Sequence, residues 1–222
     1  MRSVFTRHFV MGFAVLMGLF QVSAFASVDN APSWRGNAGT TYAAWEFNTS
    51  SKTPLWNYGA NEYGDVSIYV QPKQGDPWKS QWEEMYGVWL LSGTITVDIP
   101  NSPVTGPGTS KQVQIQLIWK AETGYEQAVP EIDMQTTYSE QCDYLSEGIG
   151  SIGVLSNIAM GNGWNYTTYL IDWPYNPTGE VITIHGEIAV DQLIIDTICI
   201  PEPTTLAVMG FGVVTMWRLR KK

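Results

Sequence analysis

The fold class is decided by residues 94–117, TITVDIPNSPVTGPGTSKQVQIQL. At both ends of this stretch, in residues 94–99 and 112–117, polar and apolar side chains alternate strictly. Alternation with a period of two predicts β-strands that bury one face in a core and turn the other face to water. Residues 100–111 between them are rich in proline and glycine. The pattern therefore predicts a hairpin whose two strands are joined by a long exposed loop.

Four further segments predict strands. Residues 65–71 and 164–173 are dense in the β-branched and aromatic residues that favour strands. Residues 180–190 and 192–200 close the domain, and the latter, QLIIDTICI, is so continuously apolar that we expect a central strand buried on both faces. No window longer than about ten residues shows helical periodicity with caps. These patterns predict an all-β fold, a two-sheet sandwich of the jelly-roll type.

The C-terminal residues combine three elements: Pro201-Glu202-Pro203, an uncharged apolar run at 204–217, and a basic end at 218–222. The prolines interrupt regular secondary structure. The apolar run partitions into a bilayer, and the basic residues stay on its cytoplasmic side. This tail, PEPTTLAVMGFGVVTMWRLRKK, resembles the PEP-CTERM sorting signal that exosortase-type membrane proteases process in Gram-negative bacteria.

The resemblance implies transient anchoring in the inner membrane by a C-terminal helix, cleavage near the PEP motif, and transfer to the cell surface or the extracellular matrix. As a helix, residues 204–217 would span roughly 21 Å of a ~30 Å hydrocarbon core. Snorkelling of Arg218 and bilayer thinning could close that gap. An ordinary membrane anchor is the alternative. In the sorting interpretation the recognition element is Pro201, Glu202 and Pro203, and the retention charge comes from Arg218, Arg220, Lys221 and Lys222.

The N-terminus predicts export as well. Arg2 and Arg7 precede an apolar run at residues 9–20, and Ala24-Phe25-Ala26 supplies small residues for signal peptidase, with Ser27 as the first mature residue. A retained N-terminal anchor is the alternative. We therefore expect a signal peptide at 1–26, a β-sandwich ectodomain at 27–200 and the sorting segment at 201–222.

The charge balance limits the partners of the ectodomain. Six of the 12 Lys and Arg residues and one of the 21 Asp and Glu residues lie in the two terminal segments, so residues 27–200 carry a net charge of about −14. Nucleic acid is excluded as a partner because its binding requires Lys and Arg to replace counterions. Calcium, cationic groups and neutral glycans stay open.

The two cysteines, Cys142 and Cys199, both lie in the exported part. An oxidising compartment favours a disulfide between them. The alternative is two buried thiols that never meet.

Motifs for catalysis are scarce. His185 is the one histidine of residues 27–200, no G-x-S-x-G motif occurs, and one histidine with two separated cysteines does not make a zinc site. We expect His185 to be a satisfied residue of a strand. A glycoside hydrolase that uses an Asp/Glu pair is the enzymatic alternative, with Glu83, Glu84 and nearby Asp76 as the acidic residues that stand out.

Aromatic residues point to binding. Nine of the ten tryptophans lie in residues 27–200, several of them in polar segments rich in Gly and Pro. Exposed Trp and Tyr rings can stack on sugars, whereas the alternative is that most are core residues or hairpin anchors. The glycan-binding candidates are Trp56, Trp78, Trp82, Trp164 and Tyr166.

No cofactor is predicted, and a structural calcium ion stays open as an alternative. Its candidate oxygen ligands are Asp29-Asn30, Asn61-Glu62 with Asp65, and Glu140 with Asp143, and none matches EF-hand spacing. The sequence thus predicts an exported surface or matrix protein whose ectodomain is a non-catalytic module, either glycan-binding or purely structural.

Overall fold

A computed structural model describes residues 30–75, 77–101, 109–125, 127–137 and 151–201. Twelve strands follow one another in this part of the chain, and it contains no helix. They are β1 (Thr40–Trp45), β2 (Tyr58–Ala60), β3 (Ser67–Gln71), β4 (Trp78–Trp82), β5 (Met85–Leu91), β6 (Thr94–Pro100), β7 (Thr109–Ala121), β8 (Glu131–Thr137), β9 (Ser151–Gly161), β10 (Trp164–Trp173), β11 (Gly179–His185) and β12 (Ile188–Pro201).

The strands form two antiparallel sheets. The large sheet has the order β2-β1-β12-β7-β10-β9, and the β4–β5 hairpin joins it through β12. The small sheet has the order β3-β6-β11-β8. The all-β prediction is therefore confirmed, and the arrangement is consistent with a β-sandwich.

The two sheets share one hydrophobic core. The large sheet contributes Trp45 and Ile115, and the small sheet contributes Val97 and Ile182, all at most 1 % exposed. In residues 94–99 the apolar members of the alternating pattern, Ile95 among them, are buried, so the period-two prediction identified the core face correctly.

The predicted hairpin between residues 94–99 and 112–117 is wrong. β6 pairs with β3 and β11 in the small sheet, whereas β7 pairs with β10 and β12 in the large sheet. The connection between them crosses from one sheet to the other. Residues 102–108 lie outside the described residues, and their proline and glycine content carried no information about which sheet the next strand would join.

β12 lies between β1 and β7, as the apolar run QLIIDTICI predicts for a central strand. Leu193, Ile194 and Ile195 are at most 1 % exposed, so neighbouring side chains on both faces of the strand are buried. No helix in the described residues is long and apolar enough to span a bilayer.

Candidate functional site

The predicted sorting segment begins where the last strand ends. Pro201 is the final residue of β12 and is paired with Thr109 of β7. Glu202, Pro203, the apolar run, and the basic residues Arg218, Arg220, Lys221 and Lys222 lie outside the described residues, as do Ala24, Ala26 and Ser27 of the signal cleavage site. The chain therefore leaves the large sheet from an interior strand at the point where the PEP motif starts.

Cys199 lies two residues before this exit. Its side chain is half-buried, and its Sγ is 3.1 Å from Oδ1 of Asn176. Cys142 lies outside the described residues, so the disulfide remains a prediction.

Two of the glycan-binding candidates are core residues. Trp164 and Tyr166 are each 1 % exposed. The Tyr166 hydroxyl donates a hydrogen bond to Oε1 of Gln116. A ring that is out of contact with solvent cannot stack on a sugar, so the interpretation of these two residues as stacking platforms is wrong. Both residues lie on β10 and belong to a second apolar cluster, which also contains Ile118 and Met85.

Trp78 and Trp82 are half-buried, and internal contacts occupy part of each ring. Nε1 of Trp78 donates to the backbone oxygen of Phe47 at 2.9 Å. Trp82 meets Trp164 edge-on, with ring centroids 5.7 Å apart, and Nζ of Lys120 lies 5.6 Å from its ring. These rings thus act as anchors of the β4–β5 hairpin, in agreement with the alternative stated for them.

The acidic pair Glu83-Glu84 forms the tight turn between β4 and β5. Both carboxylate oxygens of Glu83 accept from Nζ of Lys120, at 2.8 and 2.6 Å. Oε1 of Glu84 accepts from Nδ2 of Asn162, at 3.1 Å, in the turn between β9 and β10. The two carboxylates therefore tie neighbouring elements together at an exposed turn. Asp76 lies outside the described residues.

A hollow of about 290 Å³ follows strand β1 and forms the best candidate binding surface. One of its lining residues is Phe47, which is buried and adopts the left-handed backbone conformation at φ 47°. Such a conformation is strained for a bulky residue and often marks a functional site. The hollow is lined by Phe47, Asn48, Thr49, Ser51, Thr53, Pro54, Leu55 and Asn57.

The lining combines an apolar wall with neutral polar groups. Leu55 is 87 % exposed, so its side chain is available to a ligand. Asn and Thr side chains around it can donate and accept hydrogen bonds, and no lining residue carries a charge. A surface of this kind suits a neutral hydroxyl-rich ligand.

Trp56 lies beside the hollow in the chain, between Leu55 and Asn57. Its ring packs against Gly59, where an added Cβ atom would come within 2.2 Å of Trp56 Cε3. The ring is half-buried against the main core. Trp56 thus fixes the segment that carries Leu55.

One carboxylate pair near this segment was not found by sequence reasoning. Burial, and to a smaller extent the charge of Glu46, raises the pKa of the Asp191 carboxyl to about 7. Glu46 precedes Phe47, and its backbone N–H donates to Oδ1 of Asn57 at 2.7 Å. The two acids are 145 positions apart in the chain, and no local motif connects them.

The described residues contain no group of three or more His, Cys, Asp or Glu side chains that could hold a metal ion. Of the calcium candidates, Asn61 accepts from the backbone N–H of Tyr63 and donates to the oxygen of Pro100, and Asp29, Glu140 and Asp143 lie outside the described residues. His185 ends β11, with Nε2 at 3.2 Å from Asp133 and Nδ1 at 3.6 Å from Glu131.

A second, smaller hollow lies along β9. It measures about 200 Å³ and is lined largely by Ile152, Val154, Leu155 and Leu170. Few polar side chains are available there to orient a sugar, so this surface fits a hydroxyl-rich ligand less well than the hollow after β1.

Comparisons of this chain with protein-family models, curated proteins and solved structures found no match.

Proposed function

We propose that this chain is an exported surface or extracellular-matrix protein, delivered by a signal peptide at 1–26 and sorted by a PEP-CTERM tail at 201–222. Its partners would be signal peptidase, an exosortase-type membrane protease and, transiently, the inner membrane. The position of Pro201 at the end of an interior strand supports the proposal. Cleavage just beyond it would remove the tail and leave every described strand in place.

We propose that the ectodomain is a non-catalytic module that binds a neutral extracellular polysaccharide at the hollow after β1. The observation that carries this proposal is the exposed Leu55 wall beside uncharged Asn and Thr side chains. We retain the jelly-roll interpretation as part of the proposal. The interleaving of β12 between β1 and β7, and of β6 between β3 and β11, supports it.

Binding is tested on the full chain in detergent micelles, by affinity electrophoresis through gels that contain dextran, soluble cellulose ether or galactomannan. We expect at least one of these neutral polymers to retard the protein. Leu55→Ala should weaken binding about 5- to 30-fold, as expected for losing ~1–2 kcal/mol of apolar contact.

Leu155→Ala is the matched control, because Leu155 is also a strongly exposed leucine but lies on β9, away from the hollow. It should bind as the unchanged protein does. Absence of retardation in every polymer, or an equal loss in both variants, would contradict binding at this hollow.

A glycoside hydrolase is the second candidate, and the feature that favours it is the partly buried Asp191 carboxyl, whose pKa is raised to about 7 by burial and by the charge of Glu46. A carboxyl with a pKa near 7 can act as a general acid next to an ionised partner. The same polymers are assayed for release of reducing ends. The binding proposal predicts none, whereas release that Asp191→Asn abolishes would establish hydrolysis in its place.

A further inference from the structure

Three polar side chains meet inside the sandwich, at the end from which the tail leaves. Lys111, Asn101 and Glu180 are 1 %, 6 % and 0 % exposed. Nζ of Lys111 donates to Oδ1 of Asn101 and lies 3.1 Å from Oε1 of Glu180. Nδ2 of Asn101 donates to Oε2 of Glu180 and, at 3.1 Å, to the backbone oxygen of Pro177. Each member of this Lys–Asn–Glu cluster therefore contacts the other two.

The cluster joins the two sheets. Lys111 lies on β7 of the large sheet, on the same face as the core residue Val113 two positions later. Glu180 lies on β11 of the small sheet, on the same face as the core residue Ile182. Asn101 follows directly after β6. Lysine and glutamate are rarely buried this completely, and burying an ion pair is costly for a fold to maintain.

The three side chains provide the groups that formation of an amide bond requires: an amine, a side-chain amide and a carboxylate. The Lys111 nitrogen sits against the side-chain carbonyl of Asn101, one bond away from the carbon that a nucleophile attacks. A proton passed from Lys111 to Glu180 would leave a neutral amine and a neutral acid, a pair that is favoured where water is excluded. Burial raises the pKa of the Glu180 carboxyl, although Lys111 and Asn101 act in the opposite direction. Glu180 therefore has the character of an acid–base group.

We propose that Lys111 and Asn101 become joined by an intramolecular isopeptide bond, formed by the folded protein itself with Glu180 as the proton carrier. Glu180 takes a proton from Lys111, and the free amine adds to Cγ of Asn101. The protonated Glu180 stabilises the developing oxyanion and then transfers its proton to the departing nitrogen. The C–N bond to Nδ2 breaks and ammonia leaves, while the attacking nitrogen gives up a second proton to Glu180. An amide between Nζ and Cγ remains, and Glu180 ends protonated. The reaction requires no oxidant and no cofactor.

The bond would place a covalent link between the end of β6 in the small sheet and the start of β7 in the large sheet. Lys111 is paired with Cys199 on β12, and Pro201 is paired with Thr109. The link thus lies beside the strand from which the chain continues into residues 202–222. A pull on that end would be shared by both sheets instead of peeling β12 from its neighbours.

Tryptic peptide mapping of the folded full chain tests the proposal. Trypsin should release residues 80–111 and 112–120 from a chain without the bond. With the bond, Lys111 carries no free amine and is not cut, so we expect one peptide covering 80–120 that is lighter by one ammonia, about 17 Da. Cyclisation of Asn101 alone would cause the same mass loss but would leave Lys111 cleavable.

Two variants separate chemistry from packing. Glu180→Gln keeps the shape but removes the proton carrier, and Lys111→Arg keeps the positive charge but removes the amine nucleophile. Both should yield peptides of unmodified mass with cleavage at position 111. Glu122→Gln, which alters the separate Lys73–Glu122 ion pair (2.7 Å), is the control and should keep the ammonia loss. Near-ultraviolet circular dichroism reports whether each variant is folded.

If the unchanged protein, shown to be folded, is cut at Lys111 and both peptides have their sequence masses, the proposal is wrong and the cluster is an ordinary buried ion pair. The same holds if Glu180→Gln, shown to be folded, retains the 80–120 product. If the Glu180→Gln variant does not fold, the peptide masses of the unchanged protein and of Lys111→Arg decide whether the bond forms.

Discussion

Replacing Asp196 with alanine is expected to lower the free energy of unfolding by about 3–5 kcal/mol. Asp196 is 0 % exposed on β12, and its two oxygens accept from Nε and Nη2 of Arg35, at 2.5 and 2.7 Å. Oδ2 also accepts from Nε2 of Gln116 at 3.1 Å. Alanine would leave the Arg35 charge, whose side chain is only 14 % exposed, without its main counter-ion.

The loss of stability should also affect the segment at Asn30, where the described part of the chain begins. Oε1 of Gln116, which Asp196 orients, accepts from the backbone N–H of Asn30 at 2.8 Å, and Nε2 of Gln114 donates to the oxygen of Asn30 at 3.0 Å. Asn30 lies just after the predicted signal cleavage before Ser27. The network around Asp196 therefore fastens the segment at Asn30 to the large sheet.

Urea unfolding of the full chain, followed by tryptophan fluorescence, measures this effect. Asp172→Ala is the matched control, because Asp172 is an exposed aspartate of the same sheet whose Oδ1 accepts from Gln112 at 2.8 Å. We expect the control to change stability by no more than about 0.5–1 kcal/mol. A loss below that level for Asp196→Ala would show that the network does not hold the N-terminal segment.

Replacing Asp191 with asparagine should remove a pH dependence of stability. The carboxyl has an ordinary pKa of 3.8, and burial, aided by Glu46, raises its pKa in the folded protein to about 7. Between these values the folded protein holds one proton more than the unfolded chain, so this group lowers stability as the pH rises from about 4 to about 7. Above about pH 7 its effect is constant, and below about pH 4 it disappears.

The difference in stability between Asp191→Asn and the unchanged protein isolates this group from the other carboxylates. We expect the variant to gain about 2–4 kcal/mol over the unchanged protein between pH 4 and pH 8, with the slope confined to that window. Asp172→Asn serves again as the exposed control and should give a flat difference. A flat difference for Asp191→Asn would mean that Asp191 ionises normally in the folded protein.

Much of the fold followed from local patterns. Alternation in residues 94–99 and the apolar run of 192–200 determine which faces are buried, because side chains on a strand point to opposite faces in turn. Long-range pairing was not accessible in this way. The connection between β6 and β7 crosses to the other sheet. Six strands, β1, β2, β4, β5, β8 and β9, were not predicted, although the Asn162-Gly163 turn after β9 is a strong hairpin signal.

The candidate site was less predictable than the fold. Trp164 is conspicuous in a polar sequence context but is buried, because a neighbouring hairpin covers it with Trp82. The hollow after β1 contains no rare residue or spacing that would have marked it. Lys111, Asn101 and Glu180 are ordinary polar residues in the sequence, and they become unusual only because two different sheets bring them together in the core.

The most direct test of the proposed function is the C-terminal sequence of the protein recovered outside cells that carry an exosortase-type protease. The account predicts that the unchanged protein ends near Pro201-Glu202-Pro203 and lacks residues 204–222. It also predicts that a variant with Glu202→Ala and with Arg218, Arg220, Lys221 and Lys222 replaced by serine stays at full length in the inner-membrane fraction. Extracellular protein that retains its whole tail, or a variant that reaches the outside at normal size and amount, would contradict the account.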